Sequence, residues 1–514
     1  MKVLDSIANN SKNIISISIF LMAVMSVLST NFSKPLFGDE FYYLLKAFEM
    51  KYGNWEVFKS DAFGLPVLLY VLMKLLSIDS LLGGMLLSRI LTIFFTVLSI
   101  IPLWLLSKKM LPKPLYVLPI VFYVFSSVLI LHSGSGMTEP IFVFITLSSL
   151  LFLSDESTLK HFLAASFLAA LSYYIRFNGS FLIATIVFYQ LYLSFKGKSK
   201  WYYSILIIGV YVACLLPDFY LRYITHGTIF DYGANSKYFI DNYNKVWFKN
   251  TESPSLFQFL SESSVYEIYR KFILTGLFKV NSYIFDSLSI VIYVFFSAGL
   301  FLLLKFKKFK IFIPIILFFV INIAALCFVF DIYHSHRHIY ILLPIIFLVS
   351  AYPFHFIYNW KYGKIISFGL IAIIVISNLY NTTSKINSAN FSLPKEKQWA
   401  VWVSKNTSGN IFMYGGSENI RTVFFVKDIT TARNQVYFSK HWNFWLRKPI
   451  YTENIADLYK YISGFSPRYL VLLKPDFEFY PMLNELHTDK WKDKFQLIKT
   501  FSDDELNVEL YKVN

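Results

Sequence analysis

Ionisable residues beside apolar segments are the residues of this sequence that could do chemistry, since charges at membrane edges tend to mark functional sites. The clearest group is the adjacent pair Asp39 and Glu40, which is followed by Tyr43 and Lys46. A carboxylate here could take a proton from an attacking acceptor hydroxyl, or hold a divalent cation beside a phosphate leaving group. An acidic pair also suits a helix N-terminus, so capping is the alternative interpretation.

A second carboxylate, Glu139, begins another apolar run. It follows Thr138 and precedes Pro140, a short distance after His132. An acid at a helix start is favoured by the helix dipole, which is the structural alternative. The functional interpretation is a carboxylate that faces the same cavity as Asp39 and orients an acceptor or a metal ion.

Basic residues, like the acids, lie at the ends of apolar runs. Arg176 lies at the corner between two short apolar runs, where it could extend to the membrane surface or pair with a phosphate through its planar guanidinium. Arg337 lies between His336 and His338. The His-x-His spacing could bind zinc, but no cysteine or acidic cluster completes a set, so we interpret this group as a phosphate-binding cluster. Arg89 is expected to be a buried partner of one of the acids.

The composition of the whole chain excludes several classes of protein. Its 514 residues are 56% hydrophobic, 19% aromatic and only 16% charged, against about 25% charged residues in a typical soluble domain. A purely soluble enzyme and a disordered chain are both excluded. The presence of only two cysteines excludes a disulfide scaffold.

Eleven apolar stretches are candidates for membrane-spanning helices, since a span needs about 20 mostly apolar residues. Two of them are short and meet at Arg176, and we include them because the number of spans then agrees with the positions of the lysines. The stretches are roughly 13–30, 85–106, 115–131, 138–153, 161–175, 178–195, 201–217, 284–304, 311–330, 339–358 and 365–380.

The lysine clusters predict the orientation of these spans. With eleven spans, all of the clusters fall on one side, which the positive-inside rule identifies as cytoplasmic. The net charge of +16 therefore reflects orientation and not a nucleic-acid partner. The clustered lysines are Lys2, Lys12, Lys108, Lys109, Lys113, Lys160, Lys196, Lys198, Lys200, Lys305, Lys307, Lys308, Lys310, Lys361 and Lys364.

The fold class that follows is a polytopic α-helical membrane protein with about 11 transmembrane helices and a C-terminal α/β domain. Residues 1–380 form the membrane domain, with a cytoplasmic N-terminus, a first outer loop at 31–84 and a long outer loop at 218–283. In the first loop, 65–78 is apolar but short, and we interpret it as an interfacial helix. Residues 381–514 form the extracytoplasmic domain, where alternating runs at 410–414 and 468–473 predict strands.

This arrangement resembles the GT-C superfamily of membrane glycosyltransferases, in particular the branch with protein O-mannosyltransferases and the lipid A aminoarabinose transferase. The resemblance covers residues from about 13 to 380, and it rests on the order and spacing of several short motifs. These are Asp39-Glu40 with Tyr43, Gly64-Leu65-Pro66, Ser88-Arg89, His132 through Thr138-Glu139-Pro140, Arg176, and His336-Arg337-His338-Ile339-Tyr340 with Leu343-Pro344.

The resemblance implies transfer of a sugar from a polyprenyl-phosphate donor to a protein, lipid or glycan acceptor on the extracytoplasmic face, with inversion. It implies a catalytic role for Asp39, Glu40 and Glu139. Some members of the superfamily use a divalent metal cation, which Asp39 and Glu139 would hold here. The resemblance implies that Arg176 and Arg337 bind the donor phosphate. We assign His336, His338 and Lys46 to the same phosphate site, with Arg89, Tyr43 and His132 as supporting residues.

Two other classes of function remain open. A transporter or lipid flippase would place charges near the middle of the membrane, whereas these charges cluster at the outer ends of the spans. A non-catalytic subunit of a glycan-transfer complex would keep the fold but need not keep both acids. No glycine-rich phosphate loop or dinucleotide motif is present in the sequence.

Overall fold

The structure is a computed structural model of the chain. It describes residues 11–32, 38–53, 63–154, 158–226, 229, 260–305, 309–330, 336–391, 402–403, 405–413, 436–438, 454–465, 468–473, 477, 481–503 and 506–514.

The described part of the chain up to residue 391 is almost entirely helical. Up to the long outer segment the helices are α1 (Ser11–Ser29), α2 (Gly38–Lys51), α3 (Gly64–Leu75), α4 (Leu81–Leu98), α5 (Ile100–Met110), α6 (Leu118–Val124), α7 (Ser127–Ser133), α8 (Glu139–Ser154), α9 (Leu159–Ile175), α10 (Gly179–Phe195) and α11 (Tyr203–His226). After it come α12 (Val265–Ile268), a π-helical segment (Tyr269–Thr275), α13 (Gly276–Ser287), α14 (Ile290–Lys305), α15 (Phe309–Phe330), α16 (His336–Tyr340), α17 (Leu343–Ser350), α18 (Phe354–Tyr358) and α19 (Gly363–Phe391).

Several of these helices are suited to cross a membrane. Among the described residues, Leu81–Met110, Tyr203–Ile224 and Gly363–Ile386 are long and apolar enough, and the pair Leu115–Val124 and Ser127–Ser133, bent by 51°, would make a fourth span. The other predicted spans coincide with shorter apolar helices of 10–17 residues. The mostly helical architecture is therefore confirmed, while the number of eleven spans stays a prediction.

The segments predicted as outer loops contain helices of their own. The first loop holds α2 and α3, and α3 corresponds to the predicted interfacial helix. The predicted loop at 218–283 begins and ends in helix, since α11 continues to His226 and α13 starts at Gly276. Sequence patterns missed this continuation because charged residues such as Asp218 interrupt the apolar run; in the fold Asp218 is buried.

The C-terminal region forms a small sheet with a helix beside it. Among the described residues its regular elements are strands β1 (Asn410–Met413), β2 (Val436–Phe438), β3 (Arg468–Leu473), β4 (Phe495–Asp503) and β5 (Leu506–Val513), helix α20 (Ile455–Ile462), and two short 3-10 helices, Pro481–His487 and Asp489–Trp491. The sheet order is β2-β1-β3-β5-β4; β1 is parallel to β2 and β3, and β5 is antiparallel to β3 and β4. The strands predicted at 410–414 and 468–473 correspond to β1 and β3.

Helix α19 precedes this sheet in the chain. It runs from Gly363 to Phe391, so the domain boundary predicted after residue 380 falls inside it. The division into domains 1–380 and 381–514 stays a prediction.

Helix α4 packs against α2, which carries part of the candidate site. Its N-terminus is capped by Ser80, whose hydroxyl accepts a hydrogen bond from the Gly83 amide at 3.1 Å. A Cβ on Gly84 would lie 2.8 Å from Leu44 Cδ1, so glycine lets α2 approach α4 this closely. Phe48 contacts the same glycine, and this packing fixes α2, which carries Asp39, against α4.

Candidate active site

The first acid–base pair joins the two ends of the helical region. Arg337 lies in α16, and Asp39 lies in the first turn of α2. Arg337 donates a hydrogen bond from Nη1 to Oδ2 of Asp39 at a distance of 2.5 Å. The residues are separated by 298 positions in the chain, so only the fold brings them together. The Asp39 side chain is 39% exposed, which leaves the carboxylate accessible to a second molecule.

The second pair joins the end of one helix to the start of another. Arg176, after α9, donates from Nη1 to Oε1 of Glu139 at 2.5 Å and to the Thr138 hydroxyl at 2.9 Å. The Glu139 side chain is only 2% exposed. Glu139 is therefore sealed from solvent and is held by a charge-assisted hydrogen bond.

The loop before Glu139 is fixed by its neighbours. A Cβ on Gly134 would lie 1.9 Å from the Thr30 hydroxyl oxygen, so this position requires glycine. Gly136 has a φ of +77° and donates its amide to the Thr92 hydroxyl at 3.3 Å. The loop thus anchors Glu139 to α4 and to the C-terminal end of α1.

The corner that carries Arg176 is equally constrained. The Arg176 amide donates to the Ser172 carbonyl at 2.8 Å, and the Gly179 amide donates to the Arg176 carbonyl at 2.9 Å. A Cβ on Gly179 would lie 2.2 Å from the Tyr173 nitrogen, so the chain can turn this tightly only with glycine. The guanidinium is consequently presented from a fixed backbone.

Helix α16, which carries Arg337, is held at both ends. The His336 Nδ1 lies 3.2 Å from the Ser287 hydroxyl, and its ring centroid is 4.8 Å from that of Tyr283 in α13. At the other end, the Tyr340 hydroxyl lies 3.4 Å from the Thr96 hydroxyl of α4. Both acid–arginine pairs are therefore anchored to α4.

Tyr43 links the two pairs electrostatically. Burial raises the pKa of its hydroxyl well above the ordinary value; Asp39 and Glu139 raise the pKa further, while Arg176 and Arg337 oppose them. All four charged groups thus act electrostatically on one partly buried side chain. The Tyr43 hydroxyl stays protonated across the physiological range and can act as a hydrogen-bond donor.

His338 lies in the same charged environment. Burial, followed by the positive charges of Arg176 and Arg337, lowers the pKa of its imidazole to about 3, and Glu139 opposes this shift. His338 is therefore neutral at physiological pH. It adds no positive charge toward a phosphate, which the sequence interpretation had assigned to it.

Acidification should destabilise the fold through His338. Because the pKa of His338 in the folded protein lies below its ordinary value of 6.5, the stability from burying the neutral ring is complete above pH 6.5 and is lost as the pH falls toward 3. We expect thermal melting to show a loss of up to about 1.4 kcal/mol per pH unit in this window, and His338→Gln to remove this part of the dependence. Equal pH slopes for the two proteins would contradict this assignment.

The other predicted site residues lie around the two pairs. Arg89 is buried in α4, where Glu40 supplies the opposite charge. Lys46 is also buried, with its Nζ 4.2 Å from the Tyr42 ring centroid. The His132 ring is perpendicular to the Tyr340 ring at 6.2 Å.

Sequence reasoning missed the groups around His336. Ser287 and Tyr283 contact its ring, and the charges of Asp286 and Lys385 also act on it. These residues lie in segments without a recognisable motif, so only the fold identifies them.

The structure shows what the two predicted metal ligands contact. Asp39 and Glu139, the two carboxylates predicted to hold a cation, each bind an arginine. In the part of the chain that the structure describes, no group of three or more His, Cys, Asp or Glu side chains is arranged to hold a metal ion. The paired carboxylates therefore do not fit a cation held by both.

Comparison with solved structures identifies the fold. One similar structure is the oligosaccharyltransferase AglB from Archaeoglobus fulgidus, in complex with an inhibitory peptide and a dolichol-phosphate. It superposes with a TM-score of 0.55 at 12% sequence identity, and the aligned region covers 94% of this chain and 70% of the AglB chain. ArnT from Cupriavidus metallidurans, bound to undecaprenyl phosphate, gives a TM-score of 0.59 at 10% identity over 96% of this chain and 97% of its own. The chain therefore shares the GT-C fold of these two structures. No protein-family model matches the sequence, and no curated protein matches it significantly.

The GT-C fold that the sequence motifs predicted is thus confirmed at the level of structure. ArnT is aligned over nearly its whole length, so the similarity includes the C-terminal region as well as the helices. At identities near 10% the similarity establishes the fold, and the reaction must be argued from the site itself.

Proposed function

We propose that this protein is a membrane glycosyltransferase that moves a sugar from a polyprenyl-phosphate donor to an acceptor on the extracytoplasmic face. The observation that carries the proposal is the convergence of two acid–arginine pairs, Asp39–Arg337 and Glu139–Arg176, on the partly buried Tyr43. The GT-C fold, shared with structures containing dolichol-phosphate and undecaprenyl phosphate, supports it.

Asp39 is the proposed base. A general base must reach the proton that it removes, and the Asp39 carboxylate is accessible while that of Glu139 is sealed. Asp39 therefore accepts the proton of the acceptor hydroxyl. The neighbouring acid Glu40 is not assigned this role, because its charge acts on the buried Arg89 of α4.

Arg337 and Arg176 are the proposed phosphate ligands. A guanidinium matches two phosphate oxygens through its planar fork. When the donor phosphate approaches Arg337, it competes with Asp39 for the guanidinium, so donor binding frees the carboxylate to act as a base. Tyr43 adds a neutral hydrogen-bond donor beside the same phosphate.

We assign Glu139 a different role from the one that the sequence suggested. Because its side chain is 2% exposed and binds Arg176 at 2.5 Å, it cannot contact an acceptor directly. We assign to it the orientation of Arg176.

The proposed reaction is a single displacement with inversion. The acceptor oxygen forms a bond to the anomeric carbon of the sugar as the bond from that carbon to the phosphate oxygen breaks. The acceptor proton passes to Asp39, and the electron pair of the broken bond stays on the polyprenyl phosphate, where Arg337 and Arg176 stabilise the added negative charge.

The membrane arrangement is part of the proposal. In the proposed arrangement of eleven spans, the N-terminus lies in the cytoplasm and both arginines lie at the outer surface, with 1–380 as the catalytic domain and 381–514 outside. The acceptor, whether protein, lipid or glycan, would reach Asp39 from the same side as the C-terminal sheet.

A transfer assay tests the proposal. The purified protein, reconstituted in vesicles with a radiolabelled polyprenyl-phosphate sugar and an extract of envelope acceptors, is expected to release polyprenyl phosphate and label an acceptor. Labelled donor or solute that crosses the membrane without cleavage would instead support a transporter, and intact donor under all conditions would support a non-catalytic subunit.

A further inference from the structure

A buried ion pair in α11 lies beside the Arg176 corner and has no role in the reaction described above. Arg222 donates from Nε to Oδ2 of Asp218, one helical turn earlier, at 2.8 Å. Both side chains are 2% exposed. Burying two charges in this way is costly and is weak grounds for a purely stabilising role, while ionisable residues inside membrane helices tend to be functional.

The pair contacts the corner through an aromatic ring. The Arg222 guanidinium carbon lies 5.0 Å from the ring centroid of Phe177, within the range of a cation–π contact. Phe177 follows Arg176 directly in the sequence. Its ring also packs against that of Tyr173, with centroids 5.2 Å apart.

A second contact joins the same two elements. The Tyr174 hydroxyl donates to the Cys214 carbonyl of α11 at 2.7 Å. Residues on both sides of Arg176 are therefore held by one segment of α11, between Cys214 and Arg222. A displacement of this segment would move the backbone from which the Arg176 guanidinium is presented.

We propose that Asp218 and Arg222 are positioning residues for Arg176. Asp218 fixes the Arg222 guanidinium against the ring of Phe177, and Phe177 fixes the corner so that Arg176 reaches both Glu139 and the donor phosphate. The inference rests on the proposed function, because it assigns Arg176 to donor binding.

Two variants test this role with the full-length protein in vesicles. Arg222→Leu removes the charge beside Phe177, and Phe177→Leu removes only the ring and is the milder change. Displacement of a reacting group by about 1 Å can cost up to about 100-fold in rate. We expect each variant to lower kcat/KM about 10- to 100-fold, mainly through a raised KM for the polyprenyl-phosphate sugar. Phe162→Leu, which removes a buried ring from α9 beside Tyr189, is the matched control and should keep the wild-type KM.

A double-mutant cycle separates positioning from simple stabilisation. In an Arg176→Lys background, Arg222→Leu should lower kcat/KM by less than about threefold further, because the group that it positions is already altered. The proposal would be overturned if Arg222→Leu lowered kcat/KM by the same factor in the wild-type and Arg176→Lys backgrounds. A lower yield of folded protein with an unchanged KM would overturn it as well. If Arg176→Lys alone left the KM unchanged, the donor-binding role of Arg176 would be wrong, and the fault would then lie in the proposed function.

Discussion

Replacing Asp39 with Asn reduces sugar transfer by about 100- to 10,000-fold, the range that a general base contributes. Asn keeps the size of the side chain and an oxygen that can accept from Arg337, but it cannot take a proton. Since Asp39 is the accessible carboxylate of the two acid–arginine pairs, its loss removes the route for the acceptor proton. The measurement is the initial rate of acceptor labelling in vesicles.

The Asp39→Asn variant should still bind polyprenyl phosphate, because removing the negative charge leaves Arg337 more available to the phosphate. Asp79→Asn is a matched control: Asp79 pairs with Lys51 in the same predicted outer loop and is 79% exposed. It should transfer sugar at the wild-type rate. Asp39→Asn with a transfer rate close to that of the wild type would refute the assignment of the base.

Replacing Arg176 with Met abolishes transfer and also destabilises the protein. The change leaves the Glu139 carboxylate buried without its partner, which costs about 3–5 kcal/mol. It also removes one of the two guanidinium groups proposed to stabilise the departing phosphate. We expect a lower melting temperature in detergent together with loss of detectable acceptor labelling.

The double variant Arg176→Met with Glu139→Gln distinguishes these two effects. Gln carries no charge, so most of the lost stability should return, whereas transfer should stay abolished. Recovery of transfer along with stability would show that Arg176 has only a structural role.

The sequence predicted the helices and the candidate site residues better than it predicted the partners of those residues. Asp39, Glu139, Arg176 and Arg337 stood out because charges beside apolar runs are rare. Their pairing could not be read from the sequence, since Arg337 and Asp39 are 298 residues apart.

Burial also distinguished residues that the sequence treated alike. Glu139 and Asp39 looked equivalent as acids at helix starts, yet one is sealed and the other is accessible. His338 looked like a cation beside Arg337, but burial and two neighbouring guanidinium groups keep it neutral. The buried pair Asp218–Arg222 was overlooked because it lies where the apolar run ends, which favoured a loop.

The most direct test of the account is a structure of the protein with polyprenyl phosphate bound. We predict that the phosphate oxygens lie within hydrogen-bond distance of the Arg337 guanidinium and close to Tyr43, and that the Asp39 carboxylate has turned away from Arg337 toward open solvent. A phosphate bound elsewhere, with the Asp39–Arg337 pair intact, would contradict the central claim.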